Sequence, residues 1–212
     1  MSASVESKFS ARKLICVPII HTQADMGALK EHVKKESLRR LGRTGWKRKV
    51  NLVDKFWTEI EKIIDELSLP LSRLRIYQDG LPVCGRETEI VAELARSGSR
   101  NHALLLRLIN GGAKIEGTES LELLLEEYDN VKKILGAESS GIRDSENSLS
   151  ASILAKRDAF IAKRINATLL PEEVGIIFLG MLHSVEPWLD KDIRLVYPIH
   201  TPTGAVVRPG KS

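Results

Sequence analysis

The sequence predicts an α/β fold: a mostly parallel central sheet of about five strands flanked by helices, with a helical insertion or lid. Three observations predict it. Short apolar runs of strand length recur at 14–20, 74–77, 113–116, 174–182 and 193–197. Segments with apolar residues at three- and four-residue steps lie between them. The length, 212 residues, suits one well-buried core and is short for two ordinary domains. Strands separated by helices pair in parallel through right-handed crossovers, and the helices then cover both faces of a buried sheet.

Taken in order, the first run is "LICVPII", which leads straight into His21. If 26–41 is helical, with Asp25 as its N-cap, then "GRTGWKRK" continues as a glycine-hinged loop carrying Trp46. Over 52–67, Leu52, Val53, Phe56, Trp57, Ile60, Ile63, Ile64 and Leu67 mark a helix that faces the core. The run "LRIY" follows and continues to Asp79. Residues 86–97 and 100–110 read as two shorter helices punctuated by "SGSRN", and "AKIE" is the third strand, closing at Glu116. A helix over 120–135 is acidic in its first half, and 136–148 is a polar loop. Ser148 then caps a helix over 149–170. The fourth strand, 174–182, ends at His183, and "IRLVY" is the fifth. Residues 1–198 thus form one α/β domain that includes the basic segment 26–67, and 199–212 form a flexible tail. The chain has no internal repeat.

Composition narrows the class. The chain is 42% hydrophobic, 28% charged and 5% aromatic, as in a globular protein. Its longest uncharged apolar run, 174–182, is less than half a membrane span. The polar start "MSASVESKFSARK" is unlike a secretory signal. Cys16 and Cys84 lack metal-ligand spacing and read as reduced, small buried side chains of a cytoplasmic protein. Net charge is +4, but residues 30–49 hold nine Lys or Arg against two Glu, a local +7 that leaves 4 − 7 = −3 for the remainder. The plainest reading of that segment is a solvated helix face and loop. It also suits a phosphate ligand or a single-stranded nucleic acid stacked on Trp46, or a mobile basic lid that attracts an anionic substrate.

In a parallel sheet, ligands bind beyond the carboxyl ends of the strands. Four strands here close on His21, Asp79, Glu116 and His183, with Glu119 one turn beyond Glu116. Imidazoles and carboxylates together suit zinc, manganese or iron, and they equally suit general acid–base work. Plain alternatives exist: Asp79-Gly80 is ordinary turn chemistry, and Glu119 at a helix start complements the dipole. A further oddity is Asp158, which falls on the apolar stripe formed by Leu154, Ile161, Ile165 and Leu169, with Arg157 beside it. A carboxylate there requires a partner, either a nearby arginine (Arg157 or Arg164) or the strand-end cluster.

"RDAFIAKRI" followed by "GIIFLGMLH" resembles the closing part of the Tiki/TraB and ChaN/erythromycin-esterase-like superfamily. Arg157-Asp158 matches its helix-start pair, with Ile161, Ala162 and Ile165 at the expected steps, and Gly180-Met-Leu-His183 matches its Gly-x-x-His. The strand ending in His21 is similar to its first-strand histidine motif, although Pro18 stands where a glycine is expected. "AKIEGTES" is similar to its strand-end glutamate, with Glu116 and Glu119 both eligible. The resemblance implies a site without fixing its chemistry, since the superfamily includes metal-dependent peptidases, hydrolases and a haem-binding protein.

The expectation is a hydrolase-like protein. His21, His183 and Glu116 would hold a divalent metal (Zn, Mn or Fe), Glu116, Glu119 or Asp79 would serve as ligand or base, and Arg157 would stabilise an oxyanion. No serine or cysteine lies in a recognisable nucleophile motif. The substrate would be a small molecule or peptide, with an anionic one favoured by the basic segment, and no membrane partner is expected. The rival expectation is a non-catalytic binding or regulatory protein that uses 30–49 to hold a phosphate ligand or nucleic acid.

Overall fold

The computed structural model describes residues 11–20, 30–136 and 143–198. His21, Asp25, the centre of the expected polar loop and the expected tail lie outside them. Five strands, β1 (Arg12–Ile19), β2 (Leu74–Gln78), β3 (Lys114–Glu116), β4 (Val174–Gly180) and β5 (Ile193–Val196), form one sheet in the order β3-β2-β4-β1-β5. Every pairing is parallel. The helices are α1 (Lys30–Glu66), α2 (Glu87–Arg96), α3 (Arg100–Asn110), α4 (Leu121–Gly136) and α5 (Arg143–Thr168).

The continuous apolar runs are explained by burial on both sides of the sheet. In β1, Ile15, Val17 and Ile19 face one core while Leu14 and Cys16 face the other. Alternate residues of β4 divide in the same way, Ile176 and Phe178 against Ile177 and Leu179. The first core is closed by Trp57, Ile60 and Ile64 of α1, Val91 of α2 and Leu104, Leu105 and Leu108 of α3. The second is closed by Ile161, Ala162 and Ile165 of α5, and α4 packs along α5. Gly175 permits this closeness, because a Cβ there would sit 2.8 Å from the Leu14 side chain.

Ion pairs fasten the amino-terminal edge. Arg12, the first residue of β1, binds Asp192 at 2.7 Å and Asp190 at 2.9 Å, and donates to the carbonyls of Asn166 and Leu169 at the end of α5. Within β2, Arg75 binds Glu173 at 2.5 Å and also Glu116.

Several local expectations are corrected. The loop expected at 42–49 is helix, since α1 runs through it with a kink at Gly42 (φ 66°). Leu52 is 68% exposed and does not face the core. α5 begins at Arg143, so Ser148 is inside the helix and does not cap it. β4 stops at Gly180, and Met181 and Leu182 form an exposed turn instead of extending the strand. Cys16 is buried, but Cys84 is exposed. Among the described residues, no helix is long and apolar enough to cross a membrane.

Candidate functional site

The carboxyl ends of β2 and β4 are adjacent because those strands pair. One residue past β2, Asp79 still donates its amide to the Phe178 carbonyl at 2.9 Å. The chain then turns at Gly80, whose φ of 78° suits glycine. The Asp79 side chain turns back to the sheet, where Oδ2 accepts the Gly180 amide at 3.0 Å. The Asp-Gly pair therefore forms a turn and also aims a buried carboxylate.

Past β3 the chain is stitched to the same turn. The amides of Thr118 and Glu119 both donate to the Leu81 carbonyl, at 2.9 and 3.0 Å, and the Val83 amide donates to the Glu119 carbonyl at 3.0 Å. The Thr118 hydroxyl donates to the Gln78 carbonyl. This close approach requires Gly117, where a Cβ would lie 2.6 Å from the Val83 Cα and 2.7 Å from the Pro82 carbonyl oxygen. As a result the fully buried Glu119 lies beside Asp79.

α5 supplies the two residues that interrupt its apolar stripe. Arg157 reaches Asp79 at 2.8 Å and Glu119 at 2.6 Å through Nη2, and Glu127 of α4 at 2.8 Å through Nη1. Asp158 pairs with neither arginine. It holds His183 Nδ1 at 2.5 Å and accepts the Ser184 amide at 3.0 Å. The turn after β4, closed by the His183 amide on the Gly180 carbonyl at 3.1 Å, brings the imidazole back under the helix. His183 Nε2 then faces Asp79 Oδ1 at 3.4 Å.

The electrostatics follow from this arrangement. Burial opposes charge on His183, but Asp158 and Asp79 outweigh it and raise its pKa to about 9. Burial pushes the Glu119 carboxyl above the usual carboxylate range, with Arg157 opposing the rise. Asp79, Arg157, Glu127 and His183 line a pocket of about 440 Å³, whose remaining wall is largely Ile19, Ile20, Leu124, Leu154, Met181 and Leu182. Glu119 lies behind Arg157 and does not line this pocket.

Of the expected site residues, the structure thus brings together Asp79, Glu119, Arg157 and His183. Glu116 is not among them, because its two oxygens are held by Arg75 and Arg164. Arg164 is two helical turns from Arg157 on α5, roughly 10 Å along the axis, so the proposed Glu116 ligand belongs to a different ion-pair network. His21 lies outside the described residues; Ile19 and Ile20, which precede it, reach the pocket wall. Glu127 was not anticipated. Its signal was its place on the inward stripe of α4 beside Leu124 and the buried Asn130, where an acid is out of pattern.

Asp79, Glu119 and His183 each offer a ligand atom, and these lie within 4.8 Å of one another. One imidazole nitrogen and two carboxylates suit a divalent ion, and Asp158 on Nδ1 gives the orientation that a metal-binding histidine needs. In the arrangement described, the guanidinium of Arg157 already satisfies both carboxylates. An ion would therefore have to displace Arg157 and also take the place of a proton on His183. Comparison with protein-family models, curated proteins and solved structures found no match for this chain.

Proposed function

We propose that this protein is a hydrolase whose active site is the Asp79–Arg157–His183 face of the pocket, with Glu119 and Asp158 as positioning residues. The observation that carries the reading is the buried imidazole held between two carboxylates on a pocket floor that also presents an arginine. Environment assigns the roles. His183 retains its proton at neutral pH and acts as general acid toward the leaving group. Asp79, 3.4 Å from it, is the carboxylate that takes a proton from the attacking water. Arg157 stabilises the oxyanion that develops between them, and Glu119 and Glu127 hold its guanidinium in place.

Among the described residues, no serine, threonine or cysteine lines the pocket, and in this scheme water is the nucleophile. The apolar walls favour a small acyl or peptidyl substrate with aliphatic groups beside the scissile carbonyl. The likeness of Arg157-Asp158 and Gly180–His183 to the Tiki/TraB and ChaN/erythromycin-esterase-like superfamily supports a site at these residues without selecting its chemistry. Asp79, Glu119 and His183 are also the residues that would hold a divalent ion. When bound, such an ion would supply a polarised, more acidic water.

The test is hydrolysis of p-nitrophenyl esters and fluorogenic peptides, with and without added Zn²⁺ or Mn²⁺. Asp79→Asn and His183→Asn are each expected to lower kcat/KM by at least about 100-fold while preserving the circular dichroism spectrum. Turnover that survives both substitutions, or the absence of turnover with every substrate in the panel, contradicts the proposal.

A further inference from the structure

We propose that the first half of α1 is a nucleic-acid-binding arm that engages the phosphate backbone independently of the pocket. The charge pattern of the helix is the first ground. Residues 30–49 carry nine basic and two acidic residues, whereas 54–66 carry five acidic and two basic ones. A helix gains stability from acids near its amino end and bases near its carboxyl end. The part of α1 after the Gly42 kink has the reverse order, with Arg43, Lys47, Arg48 and Lys49 in its first turns and no basic residue in its last. Arg43 and Lys47 also stand four residues apart, a like-charge spacing that costs helix stability. The arrangement is poor for the helix itself and therefore calls for an external partner.

The second ground is exposure without pairing. Among the described residues, none forms an ion pair with Lys34, Lys35, Arg40, Arg43, Lys47, Arg48 or Lys49. Arginines elsewhere in the chain do pair: Arg86 with Glu89, Arg100 with Glu61 and Arg107 with Asp65. The last two of those acids come from the second half of α1 itself. From residue 34 to 52, no described side chain is buried. The fifteen residues from Leu52 to Glu66 measure about 22 Å as helix, enough to cross a sheet whose strands are this short. Over 34–52, where no described side chain is buried, few groups of the same chain shield the basic half. A bare helix of this length is marginal in water, and a polyanion would relieve its self-repulsion.

Nucleic acid fits better than an anionic bilayer. A membrane-surface helix requires a continuous apolar face, and the exposed apolar residues here do not make one. Leu41 precedes the Gly42 kink, and Val50 and Leu52 point about 200° apart on the helix. Trp46, partly exposed among the cations, is a surface on which a base can stack.

The experiment is fluorescence anisotropy of the full-length protein with labelled single-stranded and duplex oligonucleotides, titrated at several salt concentrations. Micromolar binding is expected near 0.1 M salt, weakening with a log–log slope steeper than about −3. The combined variant Arg43→Glu, Lys47→Glu, Arg48→Glu and Lys49→Glu should weaken binding at least tenfold. A second variant, with glutamine at the same four positions, guards against misfolding and should also lose affinity, while His183→Asn should not. Absence of binding to about 100 μM, where nonspecific complexes are already populated, would overturn the proposal. Affinity unchanged from the unsubstituted protein in both charge variants would do the same, as would binding to phosphatidylserine vesicles with none to the oligonucleotides.

Discussion

His183 shows how one residue's surroundings fix its chemistry. A free imidazole titrates near 6.5, and here the Asp158 and Asp79 carboxylates raise that value to about 9 despite burial. The folded protein therefore binds more protons than the unfolded chain between those values. The contribution of His183 to stability is full below about pH 6.5 and is lost as pH rises through about 9. Its size is on the order of 3 kcal/mol. Urea denaturation of metal-free protein across this range should show the decline, and His183→Asn should flatten it. Asn101 offers a contrasting case. It is fully buried, and among the described residues neither end of its amide has a hydrogen-bond partner. Leaving such a group unsatisfied costs about 1–3 kcal/mol, so Asn101→Leu is expected to raise unfolding stability by about 1 kcal/mol. A loss of stability would instead assign the amide a partner.

Among the elements, the connections after β2 and β3 matter more to the site than the strands do. Their mutual hydrogen bonds set Glu119 beside Asp79, and Gly117 allows them to meet. Gly117→Ala would force a Cβ against the Val83 backbone. It is expected to cost about 1–3 kcal/mol in stability and to weaken whatever the site binds or turns over, whereas Ala at the half-buried Gly45 of α1 should leave the site intact. Residue spacing alone could not separate Glu119 from Glu116, because the choice depends on this long-range stitching. The strands and core helices were legible because apolar period two and period 3.6 are local signals. The extent of α1 was not, since glycines at 42 and 45 and a run of like charge read as a loop. The end of β4 was also misread: Met181 and Leu182 are apolar, but they form a pocket rim and are exposed.

Over the whole molecule, charge is divided between two regions. The basic half of α1 carries the excess of positive charge, while Arg157 and His183 on the pocket floor are set against Asp79 and Glu127 of the pocket lining and against Glu119 and Asp158 behind it. His183 was legible because it follows a strand too apolar to lie on the surface, and Asp79 because it closes a strand at the same edge of a parallel sheet. Arg157 and Asp158 were legible because they interrupt an apolar stripe. The pairing of Arg157 with both acids was not, because it joins three crossovers that only the folded sheet brings together. Under the proposed function, this convergence keeps His183 charged and ready to donate a proton. The most direct test is an NMR titration of the His183 ring in metal-free protein. A pKa of about 9 is expected, falling well toward the ordinary histidine range in Asp158→Asn. An ordinary value in the unsubstituted protein, unchanged by that substitution, would contradict it.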